Sequence, residues 1–393
     1  MKKSLVALAA LAATSAFAQS SVSISGVWDA GYKITNAADN TADKKEFAGN
    51  NAGTTRLIVS GVEDLGGGLK AEFKGVGLFS ATSPNSANTA TSSGTAGTAV
   101  TAYGFSQNNN LFNDEIWIGL SGGFGAFKIG SPDLPQHTVN PKIQPFGTAM
   151  GSAYASSGVN RFGGASTTAF GISGFQQAAA NGRPVRAEKS LRYDTPVFNG
   201  FSASYSLAAQ NDQQTDASKT SANSNGITAV GLYYKDGPLD IAYASTTAKS
   251  GAYAAQGLTP AGTALVNSDL GTNSQAKYTM FGGNYTVGAL TLYYGATQFK
   301  TSGTITAYDV KSSNVAVKYL VTPTIELLAN SVKVKNNTTA GKDAELTGLG
   351  VNYLLSKRTT AYARYEDFNT DKSATASGGK GVKTQAIGIL HTF

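Results

Sequence analysis

Hydrophobic and polar residues alternate along most of this chain, in segments of about ten residues separated by Gly, Pro, Asn and Asp. In one segment Leu69, Ala71 and Phe73 alternate with Lys70 and Glu72. Successive side chains of a strand point to opposite faces, so this period predicts β-strands with one apolar and one polar face. The alternation recurs at Val22/Ile24/Trp28/Tyr32, Leu57/Val59, Phe201/Ala203/Tyr205/Leu207, Leu239/Ile241/Tyr243, Val315/Val317/Tyr319, Ile325/Leu327 and Ile387/Ile389.

The connections between these segments alternate between short turns and long polar stretches. Seven short turns are predicted, at 63–68, 121–125, 195–200, 236–238, 287–289, 321–323 and 356–358. Eight long loops lie between them, at 34–53, 79–110, 131–185, 211–224, 246–274, 300–308, 334–344 and 367–381. Seven turns and eight loops connect sixteen strands, and their strict alternation makes each strand antiparallel to its neighbours.

Whether such a sheet is open or closed depends on how its two edge strands are satisfied. An open sheet exposes two rows of unpaired N–H and C=O groups, which a soluble protein has to protect. Closure removes both edges, and in hydrocarbon it is obligatory because no water can satisfy them. Strands of about ten residues also suit a tilted crossing of a bilayer. We therefore predict an all-β fold, a closed antiparallel transmembrane β-barrel of about sixteen strands with short periplasmic turns, long external loops and a polar lumen. A secreted soluble all-β protein is the alternative.

The first 18 residues have the layout of an export signal. Lys2 and Lys3 precede an apolar run at 5–11, and Ala16-Phe17-Ala18 resembles a cleavage site. The apolar run is too short to span a bilayer, which needs about 20 apolar residues. We expect residues 1–18 to be a removable signal peptide and residues 19–393 to form a single transmembrane β-barrel domain.

Composition excludes several classes of function. The chain has no Cys, so neither disulfides nor thiolate metal sites can stabilise it. Without Lys2 and Lys3, 29 basic residues face 24 acidic ones, and this mild excess is not clustered as in a nucleic-acid-binding patch. The only two histidines, His137 and His391, give little basis for a Ser–His–carboxylate site or a metal site. We therefore expect no catalysis, no cofactor, no metal and no nucleic-acid partner.

Short motifs spread over nearly the whole mature chain carry a family resemblance. They are ISGVWDAGY at 24–32, Arg56-Leu57 leading into GVEDLGGGLKA at 61–71, IGLSGGFG at 118–125, SLRYDTP at 190–196, LSKRT at 355–359, YARY at 362–365 and GILHTF at 388–393. In this order and spacing they resemble the Gram-negative trimeric general-diffusion porins of the β-proteobacterial type. The terminal Phe393 resembles the signal by which outer-membrane barrels are recognised for assembly.

The resemblance implies a passive channel in the cell outer membrane. It implies a homotrimer in contact with outer-membrane lipid and lipopolysaccharide, which passes small hydrophilic solutes and anions through a water-filled pore. It also implies that the third long loop, about 132–184, folds into the lumen and narrows it. Alternatively this stretch is an ordinary surface loop, or it contains an extra β-hairpin around 161–176.

Strand parity nominates the charges that line the lumen. If Leu57, Phe73 and Leu191 face lipid, their charged neighbours face inward, because a charge at mid-depth on the lipid face costs roughly 2–4 kcal/mol. The candidate lining and constriction residues are Arg56, Lys70, Lys74, Lys128, Asp133, Arg186, Glu188, Arg192 and Arg364. Parity also places Asp29, Glu72, Lys318 and Glu326 inward. The resemblance implies a basic wall, matched here by Arg56, Lys74, Arg186 and Arg192, opposite acidic groups on the inserted loop.

The inserted loop departs from that acidic pattern. Between 132 and 184 its only carboxylate is Asp133, and the position where relatives often carry Arg is Ser131. Because a pore selects by the charges at its narrowest point, we expect a weak to moderate anion preference. One alternative is a substrate-selective channel, for example for a sugar along a line of aromatics that includes Tyr362 and Trp117. Another is a plugged surface or adhesin barrel.

Overall fold

The computed structural model describes residues 20–37, 43–82, 111–153, 186–187, 189–208, 226–250, 254–258, 264–266, 274–303, 309–337, 343–370 and 381–393. The strands among them are Ser21–Ala37 (β1), Lys44–Ala48 (β2), Arg56–Gly66 (β3), Leu69–Leu78 (β4), Ile116–Gly122 (β5), Gly125–Ser131 (β6), Ser190–Asp194 (β7), Phe201–Ala208 (β8), Gly226–Asp236 (β9), Leu239–Ser250 (β10), Ala254–Leu258 (β11), Ala264–Val266 (β12), Ser274–Val287 (β13), Leu290–Ser302 (β14), Asp309–Thr322 (β15), Ile325–Asn336 (β16), Ala344–Leu354 (β17), Thr359–Thr370 (β18) and Val382–Thr392 (β19). The helix Pro135–Ile143 (α1) lies between β6 and β7.

The sheet closes on itself through β1. One edge of β1 pairs with β19, from Val27↔Thr392 to Ala37↔Val382. Its other edge pairs with β3 and, above an interruption at 49–55, with β2. Since β2 and β3 are two pieces of one crossing, the 17 strands of this sheet make sixteen antiparallel crossings. The predicted closed barrel is confirmed.

All seven predicted short turns lie between consecutive strands of the barrel. Several of the predicted loops begin before the preceding strand ends, and two of them contain further strands. The stretch 34–53 contains the end of β1 and all of β2, and 246–274 contains the end of β10 and the separate hairpin β11–β12. Polar side chains end the apolar pattern there, but the backbone N–H and C=O groups still need partners, so the pairing continues.

The two faces of the barrel wall follow the predicted parity. Ile24, Ile118 and Val315 point outward and are 67%, 65% and 63% exposed. Asp29 and Arg192, which have the opposite parity, are buried inside the barrel. An outward apolar belt with charges on the inner face is the expected arrangement for strands that cross a bilayer.

Polarity is reversed at the loop ends of β15 to β17. Here the buried side chains that point inward are apolar, namely Val310, Val332, Val334 and Leu346. The exposed side chains that point outward are charged, namely Lys311, Lys333, Lys335 and Glu345. The sequence pattern did not predict this reversal. The reversal has a physical reason on each face. The outward side chains are charged because these strand ends lie at the external border of the apolar belt. The inward side chains are apolar because they pack against a segment inside the barrel.

That internal segment is the first part of the third long loop. Leu134, Val139 and Ile143, from α1 and the residue before it, are buried together with inward-facing Phe299 and Val332. The loop therefore enters the lumen, as expected, through residues 132–153, and its helix was not predicted. No helix among the described residues is long and apolar enough to cross a membrane. Residues 1–18 and the hairpin considered at 161–176 lie outside the described residues.

Candidate functional site

The end of α1 occupies a notch in the inner wall. Gly282 of β13 and Gly295 of β14 are direct cross-strand partners. A Cβ atom at these positions would lie 2.8 Å from Ile143 Cγ2 and 2.9 Å from Ile143 Cβ, respectively. Beside the notch, Lys142 Nζ contacts Asp240 Oδ1 at 2.6 Å. Two small residues and one ion pair thus set how far the loop projects into the lumen.

We expect Gly295→Val to lower single-channel conductance. The new side chain fills the space of Ile143 and pushes the loop toward the centre of the pore, at a cost in stability of about 1–3 kcal/mol. Ala296→Val is the control, since this neighbour on the same strand has its side chain on the outer face. Equal conductance in the two variants would contradict a loop held by the notch.

The loop tip is held on the wall farther along the barrel. Gly151 N donates to Glu366 Oε2 at 2.7 Å, and Asn330 Nδ2 donates to Gly151 O at 2.9 Å. Gly348 lies directly beneath the tip, where a Cβ atom would come 2.6 Å from Gly151 Cα. Between the notch and these contacts, the loop follows the inner wall from β13 to β18.

Five inward-facing cations form a basic cluster on the wall where the loop enters, namely Arg56, Lys74, Lys128, Arg186 and Arg192. Arg186, only 4% exposed, lies at its centre. Arg186 Nε is 2.7 Å from Asp133 Oδ1, and its Nη1 forms a short contact with Asp114 Oδ1. One buried guanidinium therefore bridges the inserted loop and the segment that precedes β5.

Two more carboxylates, Glu115 and Asp194, form ion pairs with three further cations of the basic cluster. Lys74 Nζ lies 2.6 Å from Glu115 Oε2. Lys128 and Arg192 face each other directly across β6 and β7. Asp194 bridges them, at 2.9 Å from Lys128 Nζ and 2.7 Å from Arg192 Nη2. Parity reasoning did not nominate Asp114, Glu115 or Asp194 for the site.

Arg56 differs from the other members of the basic cluster. None of the ion pairs among the described residues includes Arg56, and its buried Nε has no hydrogen-bond partner there. Among the described residues, the basic cluster thus has five cations and the four carboxylates that contact them, Asp114, Glu115, Asp133 and Asp194, which is a surplus of one positive charge.

The two carboxyls that contact Arg186 have opposite pKa shifts. Asp133 lies in the inserted loop, where burial raises its pKa; His137, 2.7 Å away, and Arg186 outweigh burial, so its pKa is lowered. At Asp114, which precedes β5, burial raises the pKa and Arg186 offsets only part of that effect. On acidification, Asp114 therefore takes up its proton before Asp133.

We expect anion preference to rise as the pH falls through the pKa of Asp114, which burial raises above its ordinary value. Protonation removes one negative charge while Arg56 and Arg186 remain positive. The measurement is the reversal potential in a KCl gradient at stepped pH. Asp114→Asn should lack this step and show the higher anion preference already at neutral pH. A pH profile identical to that of the parent chain would disprove the assignment.

Comparison with known proteins identifies the family. The profile of the Gram-negative porin family matches residues 4–373. The chain belongs to this family. Porins are channels of the outer membrane rather than enzymes, and a closed barrel with a charged lumen is consistent with that class.

Proteins related in sequence to this porin are themselves named outer membrane porins. An outer membrane porin protein 32 of Delftia acidovorans is 33% identical over 215 residues, which are 54% of this chain and 51% of that protein. The chain thus aligns with about half the length of that relative. An outer membrane porin protein of Bordetella pertussis is 28% identical over 438 residues, covering 100% of both chains.

Solved structures share the fold of the porin. An anion-selective porin from Comamonas acidovorans superposes with a TM-score of 0.72 at 21% identity, covering 95% of this chain and 100% of the other. A trimer form of OmpT from Vibrio cholerae gives 0.59 at 15% identity, covering 95% and 99%. At these identities the likeness concerns the fold alone.

Two further predicted site residues of the porin, Lys70 and Arg364, lie apart from the basic cluster. Lys70 is exposed at the start of β4, next to a short turn, so it lies at the periplasmic mouth rather than at the constriction. Arg364 is buried on β18, stacked 5.9 Å from the ring of Phe146 of the loop. Asn352 accepts from Arg364 at 2.7 Å and donates to Glu326 at 3.0 Å. Glu188 lies outside the described residues.

The two aromatic residues considered for a sugar path and the two histidines lie at separate places in the barrel. Trp117 of β5 lies beside Lys128, with 5.1 Å from its ring to Nζ. Tyr362 of β18 is buried and donates to Asp29. Since β4, β3, β1 and β19 separate their strands, these two residues form no continuous aromatic line in the porin. His391 is exposed near the end of β19, and His137 pairs with Asp133 of the inserted loop.

Proposed function

We propose that this porin is a passive diffusion pore for small hydrophilic solutes and ions, with a weak to moderate anion preference. The observation that carries this proposal is the surplus of one cation in the basic cluster where the loop narrows the lumen. Charges at the narrowest point of a pore act on every passing ion. Extensive pairing with carboxylates is the reason why we expect the preference to be weak.

Arg56 is the residue that we expect to attract anions most directly. It is only partly buried, lies on the lumen side of β3 and has no ion-pair partner among the described residues. The anion-selective porin from Comamonas acidovorans, similar in fold, supports the proposed direction of selectivity.

We further propose that the mature chain is residues 19–393, a single barrel domain that assembles as a homotrimer surrounded by outer-membrane lipid and lipopolysaccharide. The trimer form of the similar barrel from Vibrio cholerae supports this assembly. A trimer predicts a heat-modifiable band at about three times the mature mass on unboiled gels. A band of monomer mass under all mild conditions would contradict it.

The proposed function is tested by single-channel recording of the refolded mature chain, with reversal potentials in a KCl gradient. We expect stepwise openings in groups of three and a permeability ratio of chloride to potassium above one. Arg56→Gln should move that ratio toward one, because it removes the unpaired charge. Lys357→Gln, at an exposed periplasmic turn, is the matched control and should leave the ratio unchanged. Cation preference in the parent chain would disprove the proposed selectivity.

The same recording separates the alternatives. A folded barrel that leaves the bilayer sealed would favour a plugged surface or adhesin barrel. Saturation of the current by one solute class would favour a substrate-selective channel.

A further inference from the structure

The two tryptophans of the chain point to opposite faces of the barrel wall. Trp28 of β1 points outward and is 46% exposed. Trp117 lies between outward-facing Ile116 and Ile118 on β5, so its side chain points into the lumen. Its indole Nε1 donates to Oε1 of the buried Glu115 at 2.8 Å. The carboxylate therefore fixes the orientation of an aromatic ring that remains partly exposed to the lumen.

A lysine from each neighbouring strand flanks the ring of Trp117. On β4, Lys74 is the direct cross-strand partner of Trp117, and its Nζ lies 2.6 Å from Oε2 of the same Glu115. On β6, Lys128 Nζ lies 5.1 Å from the ring centroid and 2.9 Å from Asp194 Oδ2. An ammonium has three N–H donors, and among the described residues each of these lysines contacts a single carboxylate. Both lysines therefore retain donors for a further anion.

The wall positions next to Trp117 carry no side chains that could cover its ring. Gly130 of β6 is the direct partner of Trp117, and Gly119 lies two residues along β5 with the same orientation. Lys128 is the partner of Gly119, and its ammonium lies over one face of the ring. Because a lysine ammonium sits on a flexible four-carbon stem, it can swing aside when another group takes its place on the ring.

The flat ring and the two ammonium groups suit a ligand that is both aromatic and anionic. Aromatic rings attract one another in offset-stacked and edge-to-face arrangements. A cation would be repelled by the surplus positive charge of the basic cluster, and an uncharged sugar would make no ion pair with the lysines. An aromatic carboxylate uses the ring and the charge together.

We propose that Trp117 and Lys128 form a binding site for small aromatic carboxylates, such as benzoate, inside the pore. The aromatic ring of the solute packs on the indole, and its carboxylate accepts from Lys128 Nζ, with Lys74 on the other side of the site. The proposal rests on the proposed diffusion pore and names one solute class that the pore retains longer than others. Since the site lies on the wall of the lumen, a bound carboxylate narrows the path without closing it.

The first test records the KCl current of the refolded mature chain while potassium benzoate or potassium cyclohexanecarboxylate is added. The two anions have the same charge and a similar size, but only benzoate has an aromatic ring. We expect benzoate to reduce the current in part, with a half-effect concentration about 2- to 10-fold lower than that of cyclohexanecarboxylate, the range of one aromatic pair. Trp117→Leu should abolish this difference, and Trp117→Tyr should retain much of it. Trp28→Leu, the same substitution on the outer wall, is the matched control and should retain it fully.

Lys128→Gln tests the charged part of the site. This variant should raise the half-effect concentrations of both anions, because both lose the same ammonium. The ratio between the two anions should remain, since it depends on the ring of Trp117. Unchanged half-effect concentrations would show that Lys128 does not bind the carboxylate.

Fluorescence gives a readout that requires no current. Trp28→Phe leaves Trp117 as the only tryptophan of the chain, so its emission reports on the site in the folded barrel in detergent. We expect benzoate to change this emission with saturation, and cyclohexanecarboxylate to change it much less at the same concentration.

Two results would overturn the proposal. One is an equal half-effect concentration of the two anions in the parent chain. The other is an emission of Trp117 that benzoate leaves unchanged or quenches without saturation, which indicates collisions alone. The proposed function fails separately: a sealed bilayer with saturable quenching would disprove the pore and keep the site, whereas open channels with chloride preference and no saturable quenching would disprove the site alone.

Discussion

Replacing Arg186 with methionine is expected to lower the free energy of unfolding by about 3–5 kcal/mol and to abolish the anion preference. Arg186 is 4% exposed and contacts both Asp114 and Asp133. Methionine fills a similar volume but leaves the buried Asp114 without its cation and Asp133 with His137 alone, and removing one partner of a buried pair has costs of this size. The basic cluster then has equal numbers of cations and carboxylates.

The measurements are a guanidinium titration of the barrel folded in phospholipid vesicles and the reversal potential in a KCl gradient. Lys70→Met is the matched control, because it removes an inward-facing cation that is exposed at the periplasmic mouth. The control should change stability by less than 1 kcal/mol, roughly the range for exposed surface substitutions. The triple variant Arg186→Met/Asp114→Asn/Asp133→Asn should recover much of the lost stability. Equal stability of the Arg186 and Lys70 variants would show that Arg186 has no bridging role.

The barrel itself could be predicted from the sequence because local rules determine it. A period of two gives each strand its faces, and Gly- and Pro-containing turns end each strand, so the turns and the sixteen crossings need no knowledge of distant contacts. The inward direction of Arg192 and Arg364 follows from the same parity. These features are repeated sixteen times, and each repeat supports the same interpretation.

The partners of the site could not be predicted, since they depend on contacts between distant segments. Asp114 and Glu115 come from the end of the second long loop, and only the folded barrel brings them beside Lys74 and Arg186. Their position directly before β5 was a usable signal. The external start of β5 lies at the same height in the barrel as the external end of β6, where the inserted loop begins, so these two carboxylates could have been placed beside that loop. Their omission made the lumen look more basic than it is.

The helix inside the lumen was missed for a related reason. Pro135 and Pro141 make the segment look like an irregular loop, but Pro135 is at the first turn, where its missing N–H costs nothing. Pro141 is tolerated near the end of a nine-residue helix whose apolar side packs against the wall. Tertiary packing overrides a weak local preference here. The outward lysines at the strand ends were missed because parity gives direction but not height in the membrane.

The second large effect concerns Asp29, which joins the barrel wall to the interruption between β2 and β3. Its fully buried carboxylate accepts from Ala52 N at 2.7 Å, from Gly53 N at 2.9 Å and from the hydroxyl of Tyr362. The interruption in turn contacts the loop tip, where Met150 N donates to Asn51 O at 3.3 Å. One carboxylate therefore supports both the closure of the barrel and the position of the loop.

We expect Asp29→Ala to lower the free energy of unfolding by on the order of 4 kcal/mol, because one buried and two partly buried donors lose their acceptor at about 1–3 kcal/mol each. Single-channel currents should become noisier, since the loop tip loses a rigid partner. Asp29→Asn keeps an acceptor oxygen and should lose less than half as much stability. Asp64→Ala removes an exposed carboxylate that accepts from Gly66 N, and is the control with little effect. Quiet currents and normal stability in Asp29→Ala would mean that the interruption is held by its backbone alone, and the loop tip by Glu366 and Asn330.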